Sequence, residues 1–172
     1  MVLLLLLQAL WFIAPAYVAN GFPPVVRGKK PLDFRKKLGK QRVFGDGKTF
    51  EGTIGGILAG IFVGLVQITY QSQLPPELGL LHFTLPIVVA LSIGAIFGDL
   101  IGAFIKRRMG MPRGHPAWLL DQLDFLTVSI LAVSIFYKPS ADIILTLFLL
   151  TPPIHWLTNY IAYKAKIKKT PW

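Results

Sequence analysis

Five runs of mainly apolar residues, at 2–19, 54–70, 85–105, 117–137 and 143–162, make up most of this 172-residue chain. A helix that crosses a bilayer needs about 20 such residues. In lipid the backbone must satisfy its own hydrogen bonds, so spans of this kind are helices. The chain therefore reads as an all-α integral membrane protein, one domain over residues 1–172, with five transmembrane helices. Composition agrees, since 53% hydrophobic and 15% charged residues lie well outside the soluble range. With no cysteine, disulfide frameworks and thiolate metal sites are excluded. Thr151-Pro152-Pro153 is expected to break and bend the fifth span.

The gaps between the runs set an orientation. Of the 18 Lys and Arg residues, nine lie in 21–52, none in 71–84, four in 106–116, one at Lys138 and four in the tail. Basic loops favour the cytosol. This alternation predicts an N-terminus outside, a cytosolic C-terminus and a long basic cytosolic loop between the first two helices. The first run has no basic residues before it and many after it, so it reads as a retained span rather than a signal peptide. A net charge of +10 on such a chain implies anionic lipid and phosphate partners, not nucleic acid. The loop over 21–52 also alternates basic residues with Phe22, Phe34, Leu38 and Phe44, which suits the lipid headgroup layer.

Within that loop, FGDGKTFEGTIGG runs from Phe44 to Gly56. Gly47-Lys48-Thr49 resembles the end of a Walker loop, but the glycine required five residues earlier is Arg42, and no buried strand precedes it. The Walker reading fails. What remains is a set of groups suited to phosphate: glycine amides, Lys48, Thr49 and the flanking acids Asp46 and Glu51, before a helix expected to start near Thr53.

Three carboxylates stand inside apolar runs. Asp99 lies seven residues before Lys106, roughly 10 Å along a helix. Asp121 and Asp124 are three apart, so they share a helix face. All three fall at similar depth near the basic side, where intramembrane acids point to function. Hard oxygen ligands suit Mg²⁺, which keeps phosphates and waters in its shell. The alternative is a proton or sodium pathway. Gly94, Gly98 and Gly102 recur every four residues and predict close helix contact. In the third loop, Lys106, Arg107 and Arg113 are candidate phosphate ligands, and His115 is a further candidate there. His82 and His155 receive no role. Carboxylates, a divalent metal, clustered cations and the Gly-Lys-Thr loop together suggest phosphoryl or nucleotidyl transfer.

The order Gly47-Lys48-Thr49-Phe50-Glu51-Gly52, Gly98-Asp99, Lys106-Arg107, Gly114-His115 and Asp121-Gln122-Leu123-Asp124 resembles the CTP:phosphatidate cytidylyltransferases, with Phe50 in place of their tryptophan. The short chain is most similar to the archaeal branch of that family, the CDP-archaeol synthases. The resemblance spans roughly 39–125. The bacterial members carry an extra Lys-Asp segment before their His-Gly-Gly, where this chain has His115-Pro116-Ala117. The resemblance implies transfer of CMP from CTP to 2,3-di-O-geranylgeranylglyceryl phosphate, giving CDP-archaeol and pyrophosphate with Mg²⁺, in the cell membrane and on its cytosolic face. Asp99, Asp121 and Asp124 are then expected at the metal. Lys48 joins them as a catalytic residue. Arg42, Asp46, Gly47, Lys48, Thr49, Glu51, Lys106, Arg107, Arg113 and His115 are expected at the CTP and lipid phosphates, with Asn20 facing the site from the first helix. The rivals are a phosphatidate cytidylyltransferase and a small cation or proton transporter using the same aspartates. The Asp-Gly-x-x-Ala-Arg motif of CDP-alcohol phosphotransferases is absent.

Overall fold

Each apolar run becomes a helix, and the polar gaps become turns. The computed structural model describes residues 2–112 and 114–170. Its elements are α1 (Val2–Gly21), the single turn α2 (Pro23–Val26), a two-residue hairpin of β1 (Lys37–Leu38) and β2 (Gln41–Arg42), α3 (Phe50–Tyr70), α4 (Leu85–Arg108), α5 (Leu120–Val133) and α6 (Ala141–Lys164). The segments 2–26, 50–73, 85–108 and 141–164 are long and apolar enough to cross a membrane.

Two sequence expectations need correction. The fourth run was expected to be helical over 117–137, but α5 has only 14 residues. At about 1.5 Å per residue it is roughly 21 Å long, short of the ~30 Å hydrocarbon layer. Leu119 enters it at φ 64°, and the Asp121 carboxylate accepts from the Ala117 amide at 3.0 Å. That closed turn delays the helix. In addition, α6 runs unbroken through Pro152 and Pro153. The prolines remove two amide donors, but neighbouring contacts hold the helix there. The Thr151 hydroxyl bonds back to the Leu147 carbonyl at 2.6 Å and meets the Tyr17 hydroxyl at 2.8 Å.

Helix α1 sits centrally, against α3, α4 and α6. Phe12, Ile13 and Ala16 of α1, Leu91 and Ala95 of α4, and Leu126 and Val133 of α5 are fully buried between the helices. Helix α3 approaches through Gly52, Gly56, Gly60 and Gly64, its buried stripe. A Cβ at Gly60 would lie 2.6 Å from the Pro15 carbonyl oxygen, and one at Gly64 would lie 2.2 Å from Val88. Small residues every fourth position let helix backbones touch in this way. Helices α4 and α5 meet similarly, with Gly94 against Ser129 and Gly98 against the Asp124–Phe125 backbone. This last contact fixes where the α5 carboxylates stand.

Candidate active site

Where the basic ends of these helices meet, the 21–49 loop folds back over α4. Leu32 donates to the Lys48 carbonyl at 2.8 Å, and Phe50 donates to the Lys30 carbonyl at 3.0 Å. Residues 30–32 and 48–50 thus form a short antiparallel pair, and Lys48 cannot drift. The helix expected from Thr53 starts earlier, at Phe50, because Thr49 caps it by accepting from the Gly52 amide at 3.1 Å. Glu51 accepts from the Lys30 amide at 3.2 Å, locking the same turn.

Asp33, a residue the sequence reading passed over, organises the rest of the loop. It is 6% exposed. Its carboxylate accepts from Arg42 at 2.5 Å and from the Phe44 and Gly45 amides at 3.0 Å each. Burial pushes this carboxyl up. The Arg42 guanidinium and the backbone amides outweigh burial and hold it well below the usual carboxylate range. Arg42 also pairs with exposed Asp46 at 2.8 Å, and its own pKa rises chiefly through Asp33. Arg108 straps this hairpin to α4. It donates to the Leu38 and Arg42 carbonyls at 2.7 and 2.6 Å and stacks on Phe104.

The loop thereby aims Lys48 at Asp99, and the two form an ion pair. One helical turn further along α4, Gly102 faces Asp124. A Cβ at Gly102 would lie 1.8 Å from Asp124 Oδ2. One more turn along, Lys106 pairs with Asp121. Asp99, Gly102 and Lys106 occupy one face of α4, and Asp121 and Asp124 one face of α5, as their spacing predicted. Lys48 and Asp99, Asp124 against Gly102, and Lys106 and Asp121 therefore follow one another along the α4–α5 seam and make up one cluster. Beside it, between α4 and α5, lies a cavity of about 250 Å³ whose walls include Ile101, Ile105, Leu123 and Val128, with Asp124 at its edge.

The other expected residues stand apart from this cluster or brace it. Arg107 is 8% exposed and donates to the Met111 carbonyl at 2.5 Å. Exposed His115 lies 3.1 Å from the Pro116 carbonyl. Gly47 is exposed and Asn20 half-buried. Arg113 lies outside the described residues.

A group the sequence reading missed comes from α6 and the turn after it. The His155 ring stacks on Phe125 with centroids 6.3 Å apart. Asn159 Nδ2 lies 3.2 Å from His155 Nδ1, and Lys168 donates to Asn159 Oδ1 at 2.8 Å. Burial lowers the Lys168 ammonium pKa, helped by the like charge of Lys48. His155 and Asn159 are four apart on one helix face, a spacing visible in the sequence. Lys168 looked like any other tail lysine.

A family model described as "CarS-like: CDP-archaeol synthase" matches residues 1–172. The chain belongs to the CDP-archaeol synthase family. It is 46% identical over 167 residues to the CDP-archaeol synthase of Pyrococcus abyssi, covering 96% of this chain and 97% of that protein. It is 45% identical to the one from Pyrococcus horikoshii, covering 97% of each. A solved structure described as an intramembrane enzyme for archaeal membrane lipids biosynthesis aligns with a TM-score of 0.76 at 32% identity, over 90% of this chain and 94% of that one. The family resemblance read from the motifs thus holds, and with it the reading of a membrane-embedded cytidylyltransferase of lipid synthesis rather than a transporter.

Proposed function

We propose that this protein transfers CMP from CTP to 2,3-di-O-geranylgeranylglyceryl phosphate, releasing pyrophosphate, at a site open to the cytosol and sideways to lipid. One observation carries the reading: two lysine–aspartate pairs and a third aspartate share one layer where α4 and α5 meet. The cytosolic placement rests on the basic loops at that end.

The lipid phosphate is already anionic, so no general base is required. One of its oxygens attacks the α-phosphorus of CTP, the bond from that phosphorus to the bridging oxygen breaks, and pyrophosphate leaves with the electron pair. Catalysis then consists of positioning the phosphates and neutralising charge. Lys48 and Lys106 are held at opposite ends of the cluster by Asp99 and Asp121, so each can meet a different phosphate oxygen. On phosphate binding, Lys48 and Lys106 turn from Asp99 and Asp121 to the phosphate oxygens, and the carboxylates so released would be available to hold a cation.

Among the described residues no group of three or more His, Asp or Glu side chains stands close enough together to hold a metal ion. That arrangement still fits Mg²⁺, which binds through one or two carboxylates plus substrate phosphates and water. One or two of Asp99, Asp121 and Asp124 would be its oxygen donors, with substrate phosphates and water completing the shell. Mg²⁺ would there offset charge on the phosphates in the transition state. Thr49, Glu51, Arg42 and Asp46 act one step back by fixing the Lys48 turn. Gly47, Arg107, His115 and Asn20 stand beyond the cluster and are proposed only for the outer phosphate surroundings. The apolar cavity between α4 and α5 takes part of the isoprenoid chain, which brings its phosphate to Asp124.

The test is direct. Purified protein in liposomes receives labelled CTP, Mg²⁺ and either the ether-linked isoprenoid phosphate or an ester-linked acyl phosphate. CDP-lipid from the ether substrate, lost with chelator, is expected. CDP-lipid from the acyl substrate alone would make the protein a phosphatidate enzyme, and none from either would end the reading.

A further inference from the structure

After α6 the chain reverses. Lys166 adopts φ 57°, and the Ile167 and Lys168 amides both donate to the Ala162 carbonyl, at 2.9 and 3.1 Å. A lysine in the left-handed region is disfavoured relative to glycine by about 1 kcal/mol, so this turn is held by its contacts and not by local preference. It brings the Lys168 side chain back along α6 to Asn159.

Asn159 is itself anchored on His155, whose ring stacks against Phe125 at an interplanar angle of 27°. Phe125 follows Asp124, whose carboxylate accepts from the Phe125 amide at 2.6 Å. A continuous row of contacts therefore runs from the Lys168 ammonium to the carboxylate layer. Lys48, Lys106, Asp99 and Asp121 all act on Lys168 electrostatically.

That placement is unusual for a merely solvated lysine. Lys168 is half-buried, yet its hydrogen bond is to a neutral amide. Asp99 and Asp121 are already paired with Lys48 and Lys106. Three ammonium groups gathered at one mouth repel each other, and burial disfavours the charged form further. Anion binding relieves both effects.

We propose that Lys168 is a third phosphate-binding lysine of this site, carried over it by the turn after α6 and positioned by Asn159 and His155. The ligand is a phosphate group, from the nucleotide triphosphate or from the lipid phosphomonoester. The assignment rests on the cytidylyltransferase reading given above and extends it to a part of the chain that no motif marks.

The experiment uses full-length protein in liposomes, with Lys168→Gln, Lys168→Arg, Asn159→Ala and, as a control, Lys169→Ala on the exposed side of the turn. Glutamine retains a donor for Asn159 but loses the charge. In Lys168→Gln the KM for one substrate should rise about tenfold, the scale of one charge-assisted hydrogen bond, with kcat within about threefold of wild type on the same scale. A raised KM for CTP assigns Lys168 to the triphosphate, and a raised KM for the lipid assigns it to the phosphomonoester. Lys168→Arg should restore most of the loss, Asn159→Ala should show a smaller rise, and Lys169→Ala should show none. Titration with inorganic pyrophosphate, which needs no turnover, should weaken in Lys168→Gln if the triphosphate is the ligand. Unchanged KM values for both substrates in folded Lys168→Gln, or failure of arginine to rescue, would overturn the assignment. Absence of CDP-lipid from wild type is a different failure, of the cytidylyltransferase reading itself.

Discussion

Gly102→Ala is expected to separate catalysis from folding. The new methyl would lie 1.8 Å from Asp124 Oδ2, 2.8 Å from its Cγ and 3.1 Å from its Cβ. A carbon and an oxygen settle at about 3.3 Å or more, so the carboxylate must retreat by roughly 1.5 Å. It can do so by side-chain rotation, because the contact is with the far end of Asp124 and not with the backbone. Overpacking of this kind costs about 1–3 kcal/mol, and a rotatable neighbour places Gly102→Ala near the lower end. A reacting group misplaced by about 1 Å loses roughly 10²-fold in rate. Turnover should therefore fall by about two orders of magnitude while the melting temperature drops only a few degrees. Gly98→Ala provides the contrast. Its methyl would meet the Asp124 carbonyl oxygen at 2.4 Å and the Phe125 Cα at 2.6 Å. Backbone cannot rotate aside, so this variant should lose stability first. The assay is CDP-lipid formation alongside thermal melting of the same liposome or detergent preparation. Wild-type turnover in Gly102→Ala, or a stability loss equal to that of Gly98→Ala, would refute the placement of Asp124 at the reacting centre.

Further outcomes follow from the loop and the helix contacts. Asp33→Asn removes the charge that gathers Arg42, Phe44 and Gly45; it should destabilise the loop by about 1–3 kcal/mol and expose residues 33–46 to limited proteolysis. Because the folded Asp33 pKa is depressed, its contribution is full above the ordinary aspartate value of about 3.9 and is lost as pH falls through the folded value. The protection of the loop amides, with exchange rates corrected for the base-catalysed intrinsic rate, should accordingly stay constant from about pH 5 to 8, and a loss of protection there would contradict the assignment. Arg108→Ala frees the hairpin from α4 and should raise the KM for CTP more than it lowers melting. Gly60→Ala sets a methyl against the Pro15 carbonyl, and should lower stability by about 1–3 kcal/mol with kcat unchanged in the surviving folded protein.

Apolar run length and loop charge made the helices and their alternation legible in the sequence, and the i, i+3 spacing of Asp121 and Asp124 placed both on the face that α4 meets. The Gly94, Gly98 and Gly102 spacing announced a close contact, but not that Gly102 receives a carboxylate. The glycine stripe of α3 had the same four-residue signal and went unread. Other features depend on partners distant in the chain. Asp33 resembles any loop acid until the hairpin closes around it. Arg108 and Arg107 look alike in the sequence, yet one straps the hairpin and the other is buried beside Met111. The late start of α5 goes with the Asp121 carboxylate closing a turn on Ala117, and its early end with the Phe136 and Tyr137 amides both turning onto the Val133 carbonyl, contacts that hydropathy does not encode. Lys168 reaches Asn159 only through a reversal at Lys166, a residue type that gives no turn signal.

The central claim is that nucleotidyl transfer takes place at the carboxylates shared by α4 and α5. Asp124→Asn tests it most directly, since the amide keeps the shape and removes the charge. Single-turnover formation of CDP-lipid from labelled CTP and the ether-linked phosphate should be abolished, with helix content and melting of the variant preserved. Wild-type product formation by folded Asp124→Asn would contradict the account.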